Sequence, residues 1–183
     1  MAIYRLCLSN RRSIIKLLYG HDEYFIRLAS ERFNINFRPC TAIGLSHKDR
    51  IIGCVIYNNF HRDIRGFPMS IDASVLMLEK APLTKYNLHA LLSYPFSDLH
   101  VRRLEVRVAR KNRIHRKLAE RMGFVFEGIA REAYEAGGDA AIYSLLDTEW
   151  QNGKFGSLSA RSGDNRKRPN FIQSANGTLS SWP

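Results

Sequence analysis

Residues 104–124, LEVRVARKNRIHRKLAERMGF, change hydrophobic period once, and that change limits the fold more than any other feature of the chain. Leu104, Val106 and Val108 alternate with Glu105 and Arg107, the two-residue period of a strand. From Lys111 to Met122 the pattern becomes that of a basic amphipathic helix. Gly123 ends it, because glycine enters the left-handed conformation of a helix stop without steric cost. Asn112 stands at the junction, where its side chain suits a helix cap, eleven residues before Gly123.

The same reading extends over the chain. Residues 3–8 suit a short strand, 11–19 a weak helix, and 21–32 a helix with Tyr24, Phe25 and Leu28 on its apolar side. Residues 41–45 and 51–57 are β-branched runs around the polar stretch Ser46-His47-Lys48-Asp49-Arg50, which predicts a hairpin. Residues 69–78 alternate as a strand. Thr84 caps a helix to about Tyr94, which Pro95 interrupts. Residues 103–109 form a strand, and 124–135 and 140–146 two last strands around Gly137-Gly138. The expected class is α/β (α+β), with a mixed sheet.

The chain of 183 residues fits one domain, placed at residues 1–150. No apolar run reaches membrane-spanning length, and the charge order at the start is wrong for a secretory signal; the expectation is a cytoplasmic protein with no membrane partner. Cys7, Cys40 and Cys54 lack disulfide or zinc-ligand spacing, so free thiols and no metal site are expected. The net charge is +11, and nine of the 28 Lys and Arg lie between Arg102 and Arg121. That charge suits polyanions. No aromatic–basic interleaving typical of RNA-binding modules is visible, which makes nucleic acid a minor reading. Residues 151–183 hold four Gly, six Ser, four Asn and the cluster Arg166-Lys167-Arg168. They read as a disordered tail, or as an arm that a partner orders through Phe155, Leu158, Phe171, Leu179 and Trp182.

Several phrases now align. Phe96 with Arg102-Arg103-Leu104-Glu105-Val106, Asn112 with Glu120-Arg121-Met122-Gly123-Phe124, Glu127-Gly128-Ile129-Ala130-Arg131, and Asp139…Tyr143-Ser144-Leu145-Leu146…Glu149-Trp150 occur in order. Together they resemble the GNAT (general N-acetyltransferase) superfamily, in the subgroup of ribosomal-protein N-terminal acetyltransferases. Leu18-Tyr19-Gly20, Tyr57-Asn58-Asn59 and Ser93-Tyr94-Pro95-Phe96 are most similar to bacteriophage-borne members. The resemblance implies a mainly antiparallel sheet splayed in the middle and acetyl transfer from acetyl-CoA to a primary amine, such as a protein N-terminus.

On this resemblance the cofactor would lie against Leu78, Lys80, Thr84, Lys85, Tyr86, Val106, Val108 and Asn112, with Asn112 and His115 as the catalytic pair. The chain departs from the family pattern twice. The glycine-rich pyrophosphate loop is replaced by Lys80-Ala81-Pro82-Leu83-Thr84-Lys85-Tyr86, and Ala119 stands where many members have the acidic tyrosine. His115 replaces a serine of the subgroup, and an ordinary histidine titrates near neutrality, which suits a proton donor. Glu105, Glu127 and Asp139 are candidate bases by location only. The rival reading is a degenerate GNAT-fold binding or structural module, a virion component or a binder of a host protein. A protein partner for residues 151–183 and homo-oligomerisation both stay open.

Overall fold

The computed structural model describes residues 15–37, 40–81, 83–134 and 137–155. In chain order the strands are β1 (Ile15–Leu18), β2 (Cys40–His47), β3 (Arg50–Arg62), β4 (Pro68–Met77), β5 (Arg103–Ala109), β6 (Val125–Tyr134) and β7 (Gly138–Leu146). The helices are α1 (Asp22–Phe33), α2 (Lys85–Ser93), α3 (Arg113–Met122) and α4 (Asp147–Asn152). The strands form one sheet in the order β1-β2-β3-β4-β5-β7-β6. Every neighbouring pair is antiparallel except β4 and β5. Parallel neighbours need a crossover, and α2 lies in it. The mixed, mainly antiparallel sheet expected from the sequence is the one observed.

Strand alternation sends side chains to two separate cores. On one face Ile43, Leu45, Val55, Tyr57, Ile71, Leu104 and Tyr143 pack with Leu88, Leu91 and Leu92 of α2. On the other face α1 lays Phe25, Ile26 and Ala29 over Ala42, Cys54, Ile56 and Leu76. Asp22 anchors this helix, its Oδ1 accepting from Thr41 Oγ1 at 2.6 Å and from the Ala42 amide at 2.8 Å. Gly44 leaves the space that the Phe25 ring fills; a Cβ there would land within the ring.

Local details depart from the sequence reading where tertiary pairing decides. Residues 15–18 are a strand, the outermost among the described residues, and not part of a helix: Ile15 is buried, Lys16 is exposed, and β2 pairs with all four. The hairpin turn is tighter than expected. Only Lys48 and Asp49 turn, with φ of 50° and 58°, the type I′ geometry that matches strand twist. Pro95 does not stop the chain's winding; Tyr94–Asp98 continue as a π-turn, with the Leu99 amide bonding Tyr94 O. α4 was not anticipated. Beyond it Phe155 is buried, and its carbonyl lies 2.6 Å from His89 Nδ1. The strand expected over residues 3–8 and all but the start of the 151–183 segment lie outside the described residues. Among the described residues no helix is long and apolar enough to cross a membrane.

Candidate active site

The parallel ladder between β4 and β5 is short. It consists of Ser70–Arg103, Ile71–Leu104 and Asp72–Glu105. β4 runs on to Met77 and β5 to Ala109 without pairing further to each other, so the sheet opens into a notch. Strand edges that part in this way present backbone N–H and C=O groups to a ligand. Val106 and Val108 are half-buried along one wall, and Val75 is exposed along the other.

The sequence-predicted cofactor residues lie in two groups, Leu78 to Tyr86 between the end of β4 and the first turn of α2, and Val106, Val108 and Asn112 along β5 and at the start of α3. Leu78 packs against the α1-side core, and its amide bonds Ile52 O at 2.8 Å. Thr84 caps α2 in a reciprocal box. Its Oγ1 accepts from the Asn87 amide at 3.2 Å, and its own amide donates to Asn87 Oδ1 at 3.1 Å. The amides of Lys85 and Tyr86 belong to the same first turn, where an α-helix has no internal acceptors to offer. The side chains of Lys80, Lys85 and Tyr86 are exposed, with the Lys85 ammonium 5.2 Å from the Tyr86 ring centroid. Leu83 packs against the larger core; Pro82 lies outside the described residues.

Asn112 and His115 face each other at the start of α3. Asn112 Oδ1 accepts from the His115 amide at 3.1 Å, and Asn112 Nδ2 lies 2.8 Å from His115 Nδ1. An amide nitrogen only donates, so Nδ1 accepts and the neutral imidazole carries its proton on Nε2. Burial lowers the His115 pKa, which favours that neutral form. Further along α3, Ala119 is buried against the sheet, and Arg116 is drawn out of the solvated basic face. Its Nε donates to Tyr143 Oη at 3.0 Å, and that hydroxyl donates to Glu120 Oε1 at 3.1 Å.

The three carboxylates singled out from sequence are held in ion pairs. Glu127 pairs with Arg103 and accepts from Ser144 Oγ at 2.7 Å, and these bonds hold its carboxyl down at about 2. Asp139 is likewise lowered by Arg110, 2.8 Å away. Glu105 lies between Arg103 at 2.9 Å and Arg107 at 3.2 Å. Asp72 differs. It was missed, although an aspartate inside an apolar strand is itself a signal. It sits where β4 and β5 part, opposite Glu105, and accepts from Asn59 Nδ2 at 2.8 Å. Burial and then the Glu105 charge raise its pKa, against the hydrogen bond from Asn59. Cys54 has no such environment; burial pushes its thiol up to about 12, which keeps it unreactive.

A family model described as Acetyltransferase (GNAT) domain matches residues 35–141, more than half of the chain. Over 67 residues the chain is 37% identical to "Putative ribosomal N-acetyltransferase YdaF" of Bacillus subtilis (strain 168). That alignment covers 35% of this chain and 37% of the relative, so the chain spans little more than a third of that protein's length. Among solved structures, a ribosomal-protein-S5-alanine acetyltransferase from Vibrio fischeri superposes with a TM-score of 0.52 at 17% identity, over 68% of each chain. Spermidine N-acetyltransferase from Vibrio cholerae, in complex with CoA and spermine, gives 0.54 at 17% identity, over 69% of this chain and 76% of that one. These two likenesses are of fold.

Proposed function

This chain belongs to the GNAT acetyltransferase family, and from that premise we propose that it transfers an acetyl group from acetyl-CoA to a primary amine, with a protein N-terminus as the acceptor. The observation that carries the reading is the notch with Asp72 at its apex: a carboxylate of raised pKa where two parallel strands part. The facing edges of β4 and β5 suit the amide-bearing arm of the cofactor. The start of α2, with Lys80 and Lys85, suits its phosphates in place of the glycine loop. The cofactor supplies the acyl group as a thioester.

In the balanced reaction the amine nitrogen bonds to the acyl carbon, the carbon–sulfur bond breaks, the amine loses a proton and the sulfur gains one. Asp72 takes the amine proton, which a carboxylate does better as its pKa rises. The sulfur departs as a thiolate that accepts a hydrogen bond from His115 Nε2–H, with Asn112 fixing that tautomer, and takes its proton from solvent water. The choice of a protein N-terminus as acceptor is supported by the relative named for ribosomal N-acetylation. Spermidine is the small-amine comparator.

Calorimetry with acetyl-CoA, followed by thiol release with peptides bearing free N-termini and with spermidine, tests this. Binding and peptide-dependent release are expected. No heat at millimolar acetyl-CoA sinks the catalytic reading and leaves the scaffold as a binding or structural module, the use that the phage-like phrases at Leu18, Tyr57 and Ser93 also imply.

A further inference from the structure

The β3–β4 hairpin outruns its sheet. β2 reaches no further along β3 than Asn58, and β5 first meets β4 at Ser70. Beyond them residues 59–69 form a two-stranded arm, rooted at the His61–Ser70 pair and joined again at Arg62–Pro68, with no further flanking strand past Ser70 among the described residues. A lone two-stranded ribbon is marginal in water, so its tip needs local support. Asp63 provides it. Its Oδ1 accepts from the amides of Arg65 at 2.9 Å and Phe67 at 2.8 Å, and its amide donates to Phe67 O at 2.9 Å. Arg62 Nη1 closes the turn on Gly66 O at 2.7 Å.

This support holds apolar side chains in water. Ile64 is fully exposed, Phe67 is 61% exposed and Met69 36%. Turn positions favour Gly, Asn, Asp and Ser, so the turn itself has no use for a β-branched isoleucine. Three exposed apolar residues on one short, hydrogen-bonded arm suit an interaction surface. The surrounding charge is positive. Arg62 and Arg65 are exposed, and the exposed Arg102 joins them because its amide bonds Met69 O at 3.0 Å. Asp63, the acid of the turn itself, is engaged by backbone amides. At the base of the arm Asn59, at φ 52°, reaches Asp72 with its Nδ2. The base of the arm thus touches the residue at the notch apex.

We propose that residues 59–69 are the docking site for the acceptor protein, whose matching surface is apolar and acidic, and that they select protein amines over small ones. The proposal rests on the acetyl-transfer reading for its partner. RNA would engage the arginines but gives Ile64 no partner, so it becomes an outcome of the test.

The experiment uses the full chain and three probes, a short peptide alternating leucine and glutamate and its leucine–lysine counterpart, each labelled at the carboxyl end, and an oligouridine labelled at one end. Fluorescence anisotropy is expected to show binding of the acidic peptide alone. Replacing Ile64→Ser and Phe67→Ser together weakens it about tenfold, as for central interface residues, while Ile64→Val keeps it. In turnover the double serine variant raises KM for the acidic peptide's N-terminus at unchanged kcat, and leaves spermidine acetylation as in the parent. Equal binding by the double serine variant, or binding of oligouridine or the lysine peptide instead, overturns the proposal. Anisotropy needs no acetyl-CoA. Intact arm binding without turnover thus overturns the catalytic reading alone, and turnover without arm-dependent binding overturns the docking proposal alone.

Discussion

Asp72 and Glu105 face each other in the last pair that joins β4 to β5. Their surroundings set them apart. Glu105 lies between two guanidinium groups, while Asp72 has the amide of Asn59. Burial and the Glu105 charge raise the Asp72 pKa, against the hydrogen bond from Asn59. The arrangement sets a carboxylate of raised pKa at the point where the two strands part.

Asp72→Asn is expected to lower kcat/KM for amine acetylation by about a hundredfold or more, the usual worth of a general base, with acetyl-CoA affinity unchanged. The parent's rate should rise with pH through a value above that of an ordinary aspartate, because burial and Glu105 raise the group, and the variant should lose this limb. Stability moves the other way. With the folded pKa raised, the native state holds the proton longer than the unfolded chain, so the parent loses stability as pH climbs from the ordinary value through the raised one. Asp72→Asn should therefore melt higher at neutral pH. A variant that melts lower and keeps its pH–rate limb would remove Asp72 from the site.

The Asn112–His115 pair makes a prediction of the opposite sign. Burial lowers the His115 pKa, so between that value and the ordinary 6.5 the unfolded chain binds more protons than the native one. Stability from this group is complete above the ordinary value and falls on acidification through the lowered one. His115→Gln should flatten that loss and keep the cap, whereas Asn112→Ala should cost about 1 kcal/mol, the usual worth of an N-cap. Urea titrations of both variants at neutral and mildly acidic pH measure it. If the parent shows no loss between them, His115 is not held neutral.

Glu127 should matter to acid stability alone. Arg103 and then Ser144 depress its carboxyl to about 2, so the contribution is present above the ordinary 4.5 and is lost between the two as pH falls. The pair is partly exposed, and solvent limits it to about 1 kcal/mol or less. Glu127→Gln should shallow the acid limb of the melting curve and leave kcat unchanged. A large loss of kcat would give Glu127 a part in the chemistry.

Much of this was legible in the chain. The change of period at residues 104–124 located β5 and α3, because alternation and helical spacing both continue long enough to be read. Thr84, Asn112 and Gly123 marked helix ends by their own chemistry. What escaped depends on neighbours. The four residues of β1 are a strand because β2 pairs with them. Pro95 sits inside a π-turn that buries it, and α4 spans the point where the composition changes. Asp72 was one polar residue in an apolar strand until the register set it against Glu105.

The replacement for the glycine loop gives the last prediction. Without glycine the backbone cannot wrap a phosphate closely, so exposed cations carry more of the binding. Lys80 and Lys85 flank the start of α2, and Thr84 already occupies the Asn87 amide. Replacing both lysines by alanine should weaken acetyl-CoA binding about tenfold at low salt, with the difference shrinking as salt screens it. Acetyl-pantetheine, which has no phosphates, should bind the parent and the double variant alike. Calorimetry at two ionic strengths decides between the alternatives. Equal loss for both ligands would mean that the lysines shape the notch, and no loss for either would move the phosphate site away from α2.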